Sequence, residues 1–475
     1  CINRHKTLKP QKPRTTAMTF TAINPANEEI LQSYVNLDPG QMRSRAQNSQ
    51  QAFERWKRSS FAKRSELMNT IAGLLKKNSP EFARLISLEM GKPITAAQAE
   101  IEKCAWVCEY YADNAAGFLQ DEPMQSGCGK SFVTYNPLGP LLAVMPWNFP
   151  FWQVFRFAAP ALMAGNTVLL KHASNVPGCA LQIEDLFLEA GFPKHVFSTL
   201  LIPSSLVDEL LQLPQVKGVT LTGSGPAGAK VASQAGSMLK KSVLELGGSD
   251  PYLILEDADL EHAARSCAVS RLQNSGQSCI AAKRFIVLQD VLQEFTELFL
   301  QQMQKVHYSE PLDPNCTLGP LARGDLRQEL MEQVQRSLDQ GARLELGGHL
   351  PEGPGFWYPP TVLSHVRPGM AAFEEELFGP VAAIIAAKDE TEAIQLANQS
   401  RFGLGAAVYT RDETRGRRIA AQELEAGSCF VNRFVKSDPR LPFGGIKDSG
   451  YGRELSYLGI REFMNTKTVC IASPE

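Results

Sequence analysis

The stretch "VTLTGSGPAGAKVASQAG", residues 219–236, decides the fold. Its first four residues read as a strand. Gly223-Ser224-Gly225-Pro226-Ala227-Gly228 then gives G-x-G-x-x-G, and an alanine-rich helix follows. In this strand-to-helix setting, a glycine turn lets a helix N-terminus face a pyrophosphate. The plainer reading is a tight turn. Apolar runs with glycine-containing turns recur on both sides, in "LLAVMPWNFP" (141–150), "NTVLLKHAS" (166–174) and "KSVLELGGSDPYLIL" (241–255). Strands alternating with helices predict an α/β fold built on parallel sheet.

Upstream, residues 40–120 repeat apolar positions at three- and four-residue spacing, the helical period. Asn78-Ser79-Pro80 marks a break and a proline-initiated new helix. The first 17 residues carry five Lys/Arg, no acid and two prolines. They are read as a leader or tag, expected to be disordered, with a transit peptide as the other reading.

The 475 residues are 44% apolar and 21% charged, which predicts a globular chain of two or three domains. A net charge of -2 offers no field for nucleic acid or an anionic membrane. No apolar run reaches the ~18–20 residues of a membrane span. The 10 cysteines include no C-x-x-C pair, so no zinc site is expected. The thiols are expected to be reduced, in a cytoplasmic protein. Cys104 and Cys108 read as one packed helix face.

One cysteine stands apart. Cys279, in "QNSGQSCIAAKRF" (273–285), sits among small polar residues instead of Leu, Val and Phe. Glu245, 22 residues after Gly223, occupies the position of a ribose-binding acid in the dinucleotide fingerprint. Alternatively, Cys279 and Glu245 are a nucleophile and a base. A thiolate adds to a carbonyl, and a carboxylate then activates water.

Seven segments carry a resemblance: "PWNFP" (146–150), "GNTVLLK" (165–171), "TGS" (222–224), "LELGGSDP" (244–251), "NSGQSC" (274–279), "EEELFGP" (374–380) and "PFGGIKDSGYGRE" (442–454). In content and order they resemble the aldehyde dehydrogenase superfamily, over essentially all of 18–475. The resemblance implies an aldehyde dehydrogenase-like fold: a Rossmann-type cofactor domain (18–118 and 138–246), an α/β catalytic domain (247–448), and a small β oligomerisation element with the C-terminal tail (119–137 and 449–475). A homodimer or homotetramer follows from it.

It also implies roles. Cys279 resembles the nucleophile, Glu245 the base that activates water, and Asn148 an oxyanion donor alongside the Cys279 backbone N–H. Hydride passes to NAD or NADP. Pro146, Trp147, Lys171, Gly223, Ser224, Leu246, Glu376 and Phe378 resemble cofactor contacts. Ser174, three residues after Lys171, stands where NAD-specific members often carry Glu, so NADP is expected to be tolerated. A helix cap is the other reading of Ser174.

Within the superfamily, the chain resembles the succinate-semialdehyde dehydrogenases. Arg156, eight residues past Asn148, matches their carboxylate-binding arginine. Set among Trp152, Phe155 and Phe157, it needs an anionic partner, either the substrate or an internal glutamate. Ser437 and Phe443 are placed on the substrate side. Gln273 stands where the subfamily has a second arginine; Arg433 or Lys436 is read as compensating. The alternatives carried are glutarate semialdehyde as substrate, a CoA-acylating member and a non-catalytic member.

Overall fold

Two largely parallel sheets position the site. The computed structural model describes residues 19–127 and 129–472; the leader read at 1–17 lies outside them. The first sheet runs in the order Gly450–Tyr451, Lys241–Glu245, Gly218–Thr222, Pro140–Met145, Thr167–His172, Phe197–Thr199. All its neighbours pair in parallel except Gly450–Tyr451, which is antiparallel to Lys241–Glu245. Pro140–Met145 and Thr167–His172 are covered on both faces, which is why they read as continuous apolar runs.

The second sheet runs in the order Arg343–Leu346, Thr361–Ser364, Val381–Ala387, Arg284–Leu288, Pro251–Ile254, Gly405–Tyr409, Ser428–Val431. It is parallel apart from the antiparallel edge strand Arg343–Leu346. The candidate residues fall at strand ends. Asn148, Lys171, Gly223 and Glu245 lie at or just past carboxyl ends in the first sheet, where open α/β sheets bind ligands. Cys279 and Phe378 precede amino ends in the second.

The helical texture of 40–120 becomes four helices: Pro39–Trp56, Phe61–Lys77, Ser79–Met90 and Ile94–Phe118. The third starts at Ser79 with proline in its first turn, as the sequence reads. Cys104 and Cys108 are both fully buried on one face of Ile94–Phe118.

Strands Glu122–Met124, Lys130–Pro137 and Met464–Ile471 form a separate antiparallel sheet. Gly450–Tyr451, assigned from sequence to the tail, instead closes the edge of the first sheet. The cysteine expectation also needs one correction. Seven described cysteines are free, but Cys470 is disulfide-bonded. No described helix is long and apolar enough to cross a membrane.

Candidate active site

Main-chain conformation places the cysteine. After helix Leu260–Leu272, residues Asn274, Ser275 and Gly276 take three successive left-handed conformations, with φ of 54°, 55° and 75°. Serine adopts this region at a cost, so the surroundings must hold it. They do. Asn274 Nδ2 donates to the carbonyls of Asn148 (2.7 Å) and Gln277 (3.0 Å). Ser275 Oγ accepts from the Gly319 N–H (3.0 Å), and Arg271 donates to the Gly276 carbonyl (2.6 Å).

A Cβ on Gly276 would lie 2.2 Å from main-chain atoms of Gly379. The small residues before Cys279 therefore serve a backbone-to-backbone approach between "NSGQSC" and "EEELFGP". Gly276→Ala is expected to cost at least ~1–2 kcal/mol from the left-handed backbone alone, and to displace the cysteine. Thermal unfolding and the alkylation rate of Cys279 check this; an unchanged pair of values would refute it.

Cys279 is partly exposed at the loop surface. Its surroundings are dense enough that burial pushes the thiol up to about 12, against the pull of Arg156 and Lys283. Its carbonyl accepts from Lys283 Nζ at 2.8 Å, and the same ammonium meets Glu376 Oε1 at 3.2 Å. Lys283, fully buried, was not singled out from sequence. Asn148 Nδ2 donates to the Gln277 carbonyl at 3.1 Å, two residues before the cysteine, leaving its second N–H available. Among the described residues the Cys279 backbone N–H has no partner.

Glu245 ends its strand only 1% exposed, and neither carboxylate oxygen has a hydrogen-bond partner. Burial holds the carboxyl well above the usual range, with Arg156 opposing and Glu454 reinforcing. Glu245 is also among the charges that raise the Cys279 thiol. Its carbonyl accepts from the Gly223 N–H at 3.0 Å.

Arg156 requires a correction. The guanidinium is 2% exposed and forms an ion pair with Glu454, lies 4.7 Å from the centre of the Phe443 ring, and donates to Thr222 Oγ1 at 3.3 Å. Its anionic partner is thus internal. Phe443, 3% exposed, packs beneath it and, like Arg156, is off the wall of the neighbouring cleft.

That cleft, of about 960 Å³, opens beside the cysteine loop. Phe149, Trp152, Gln273, Asn274, Ser275 and Ile280 line one side; Lys103, Trp106, Phe434, Lys436 and Ser437 are also on its wall. Gln273 and Ser437 thus share one cleft wall. Lys436 is on the wall as well; Arg433 is not.

On the cofactor side, Trp147 meets Phe378 edge-on at 5.8 Å between ring centres, with Pro146 partly exposed before it. Glu376 Oε1 accepts from the Gly248 N–H at 3.1 Å. Lys171 Nζ, 3.3 Å from Ser204 Oγ, is lowered by burial. Ser224 caps helix Gly225–Ser237 by position but makes no capping bond, so that exposed hydroxyl is available to a ligand. A Cβ on Gly228 would fall 2.5 Å from Leu246 Cδ2, so the third glycine of the fingerprint serves helix-to-strand packing. Ser174 is exposed and is not a helix cap; that position, before helix Pro177–Glu189, belongs to Val176. These residues suit a dinucleotide.

The chain is similar to known proteins along nearly its whole length. It is 46% identical over 458 residues to the protein of Mycobacterium tuberculosis named succinate-semialdehyde dehydrogenase (NADP+) 1, covering 96% of this chain and 100% of that one. A Synechocystis protein named probable succinate-semialdehyde dehydrogenase (NADP+) is 47% identical over 455 residues, with the same coverage. A solved structure, succinic semialdehyde dehydrogenase from Streptococcus pyogenes in complex with NADP+, superposes with a TM-score of 0.94 at 36% identity, covering 96% of this chain and 100% of that one. Residues 12–469 match the sequence model of the aldehyde dehydrogenase family, and the chain belongs to that family.

Proposed function

We propose that the protein oxidises succinate semialdehyde to succinate with NADP, through a thioester on Cys279. The observation that supports the chemistry is a buried Glu245 whose carboxylate has no partner, together with an Asn148 amide bonded to the loop two residues before Cys279. The relatives' names and the cationic cleft beside the cysteine support the substrate.

The thiol of Cys279 passes its proton to water, and the thiolate sulfur adds to the aldehyde carbon. The resulting oxyanion accepts hydrogen bonds from Asn148 Nδ2 and the Cys279 N–H. Removing one such donor typically costs ~10²–10³ in rate. The cofactor, when bound, supplies the hydride acceptor. Glu245 takes a proton from the water that attacks the thioester carbonyl; the cysteine sulfur leaves and the acid is released. Retention of Glu245 favours hydrolysis over transfer to CoA. Pro146, Trp147, Leu246, Glu376 and Phe378 shape the cofactor slot at the cysteine. Lys171, Ser174, Gly223 and Ser224 face the rest of the dinucleotide.

Rates with a panel of aldehydes and both cofactors test the reading. Succinate semialdehyde with NADP is expected to give the highest kcat/KM, with glutarate semialdehyde competing. A neutral aldehyde equalling it would overturn the substrate assignment. In the same assay, Ser174→Glu should lower the NADP/NAD ratio at least about fivefold, the effect of roughly 1 kcal/mol of like-charge repulsion with the 2′-phosphate. An unchanged ratio would show that residue 174 does not face the ribose.

The separate antiparallel sheet supports a homodimer or homotetramer, because open strand edges such as Glu122–Met124 are usually covered. The cofactor, catalytic and oligomerisation divisions read from sequence are retained in this proposal, with Gly450–Tyr451 moved to the cofactor sheet.

A further inference from the structure

Lys103 lies in the middle of helix Ile94–Phe118, on the cleft wall. Its ammonium donates to Ser437 Oγ at 2.6 Å and stands 4.1 Å from the centre of the Trp152 ring. Among the described residues, no carboxylate lies within ion-pair distance of it. The neighbouring acids are engaged elsewhere or exposed. Glu100 pairs with Lys92 and accepts from the N–H groups of Phe151 and Trp152. Asp438 is held bidentately by Arg440, and Glu102 is exposed.

Lys103 is partly exposed to the cleft, and a half-buried ammonium with a hydroxyl as its hydrogen-bond partner favours an anion arriving from the cleft. Burial pushes the Lys103 ammonium down to about 7, and the like charges of Arg156 and Lys436 add to this. Gln273, on the same wall, supplies no cation where the resemblance calls for one.

We propose that Lys103, with Ser437 beside it, receives the distal carboxylate of the substrate. This rests on the reading that the substrate is a semialdehyde. The carboxylate would accept from both Lys103 Nζ and Ser437 Oγ, the hydroxyl then turning from acceptor to donor. Trp152 restrains the ammonium by facing it with its ring. A lysine is a point charge and lacks the fork of arginine, so chain length is read loosely.

The test compares kcat/KM for succinate semialdehyde and butyraldehyde in the wild type, Lys103→Met and Lys103→Arg. The Lys103→Met change should lower the succinate semialdehyde/butyraldehyde ratio roughly 10- to 100-fold, the loss of one charge-assisted bond. Lys103→Arg should restore much of it. A ratio held in Lys103→Met while the wild type prefers the semialdehyde overturns the role of Lys103 and leaves the substrate reading standing. A wild type without preference overturns both. If Lys103→Met oxidises neither aldehyde, protection of Cys279 from iodoacetamide by succinate decides. Protection confined to the wild type supports the proposal, and equal protection of both proteins overturns it.

Discussion

Glu245→Gln enzyme is expected to release one equivalent of reduced cofactor per site and then nearly stop. Loss of a positioned general base costs roughly 10²–10⁴-fold, and here it falls on hydrolysis of the thioester, after the hydride has left. The acyl-enzyme should accumulate and be visible by mass spectrometry, with cofactor affinity kept. The pH profile sharpens the test. Burial holds the Glu245 carboxyl well above its ordinary range, so it must first lose its own proton before it can take one from water. Hydrolysis-limited turnover should therefore rise with pH in the wild type, and that limb should be absent in Glu245→Gln. Weakened cofactor binding without a stalled acyl-enzyme would instead mark Glu245 as the ribose ligand of the fingerprint.

The second large effect concerns stability. Arg156→Met should destabilise the fold by ~3–5 kcal/mol, because removing one partner of a buried ion pair strands the other. The stranded group is Glu454, 4% exposed. Adding Glu454→Gln should recover most of the loss, since the pair is then replaced on both sides. Oxidation of charged and neutral aldehydes should fall together. A selective loss for succinate semialdehyde, with unfolding unchanged, would return Arg156 to the substrate carboxylate.

Arg156 shows where the sequence stops being legible. Its aromatic neighbours correctly signalled a buried cation in need of an anion, but nothing local pointed to Glu454, which lies in another motif near the C-terminus. Lys103 went unread for the opposite reason. Within "IEKCAWVCEYY" a lysine between two helical turns reads as a solvated charge. The available signal was the row Ala96, Ala99, Lys103, Trp106, at helical spacing on the cleft wall. The glycine fingerprint, by contrast, was legible because its strand, turn and helix are contiguous. Even there, Gly228 turned out to serve packing against Leu246. Cys279 was legible by contrast with its small neighbours, though the partner backbone at Gly379 that requires them was not.

The returning C-terminal segment has a consequence for synthesis. Gly450–Tyr451 covers the open edge of strand Lys241–Glu245, and Glu454, three residues later, neutralises Arg156. A ribosome makes both after every other strand of the two large sheets. Until roughly residue 455 emerges, the strand that carries Glu245 is an unprotected edge and a buried guanidinium has no counter-charge. The first sheet therefore cannot be completed ahead of the second. Catalysis is thereby reserved for chains extended past residue 454, and a fragment ending at residue 440 should bind to chaperones before it binds a nucleotide.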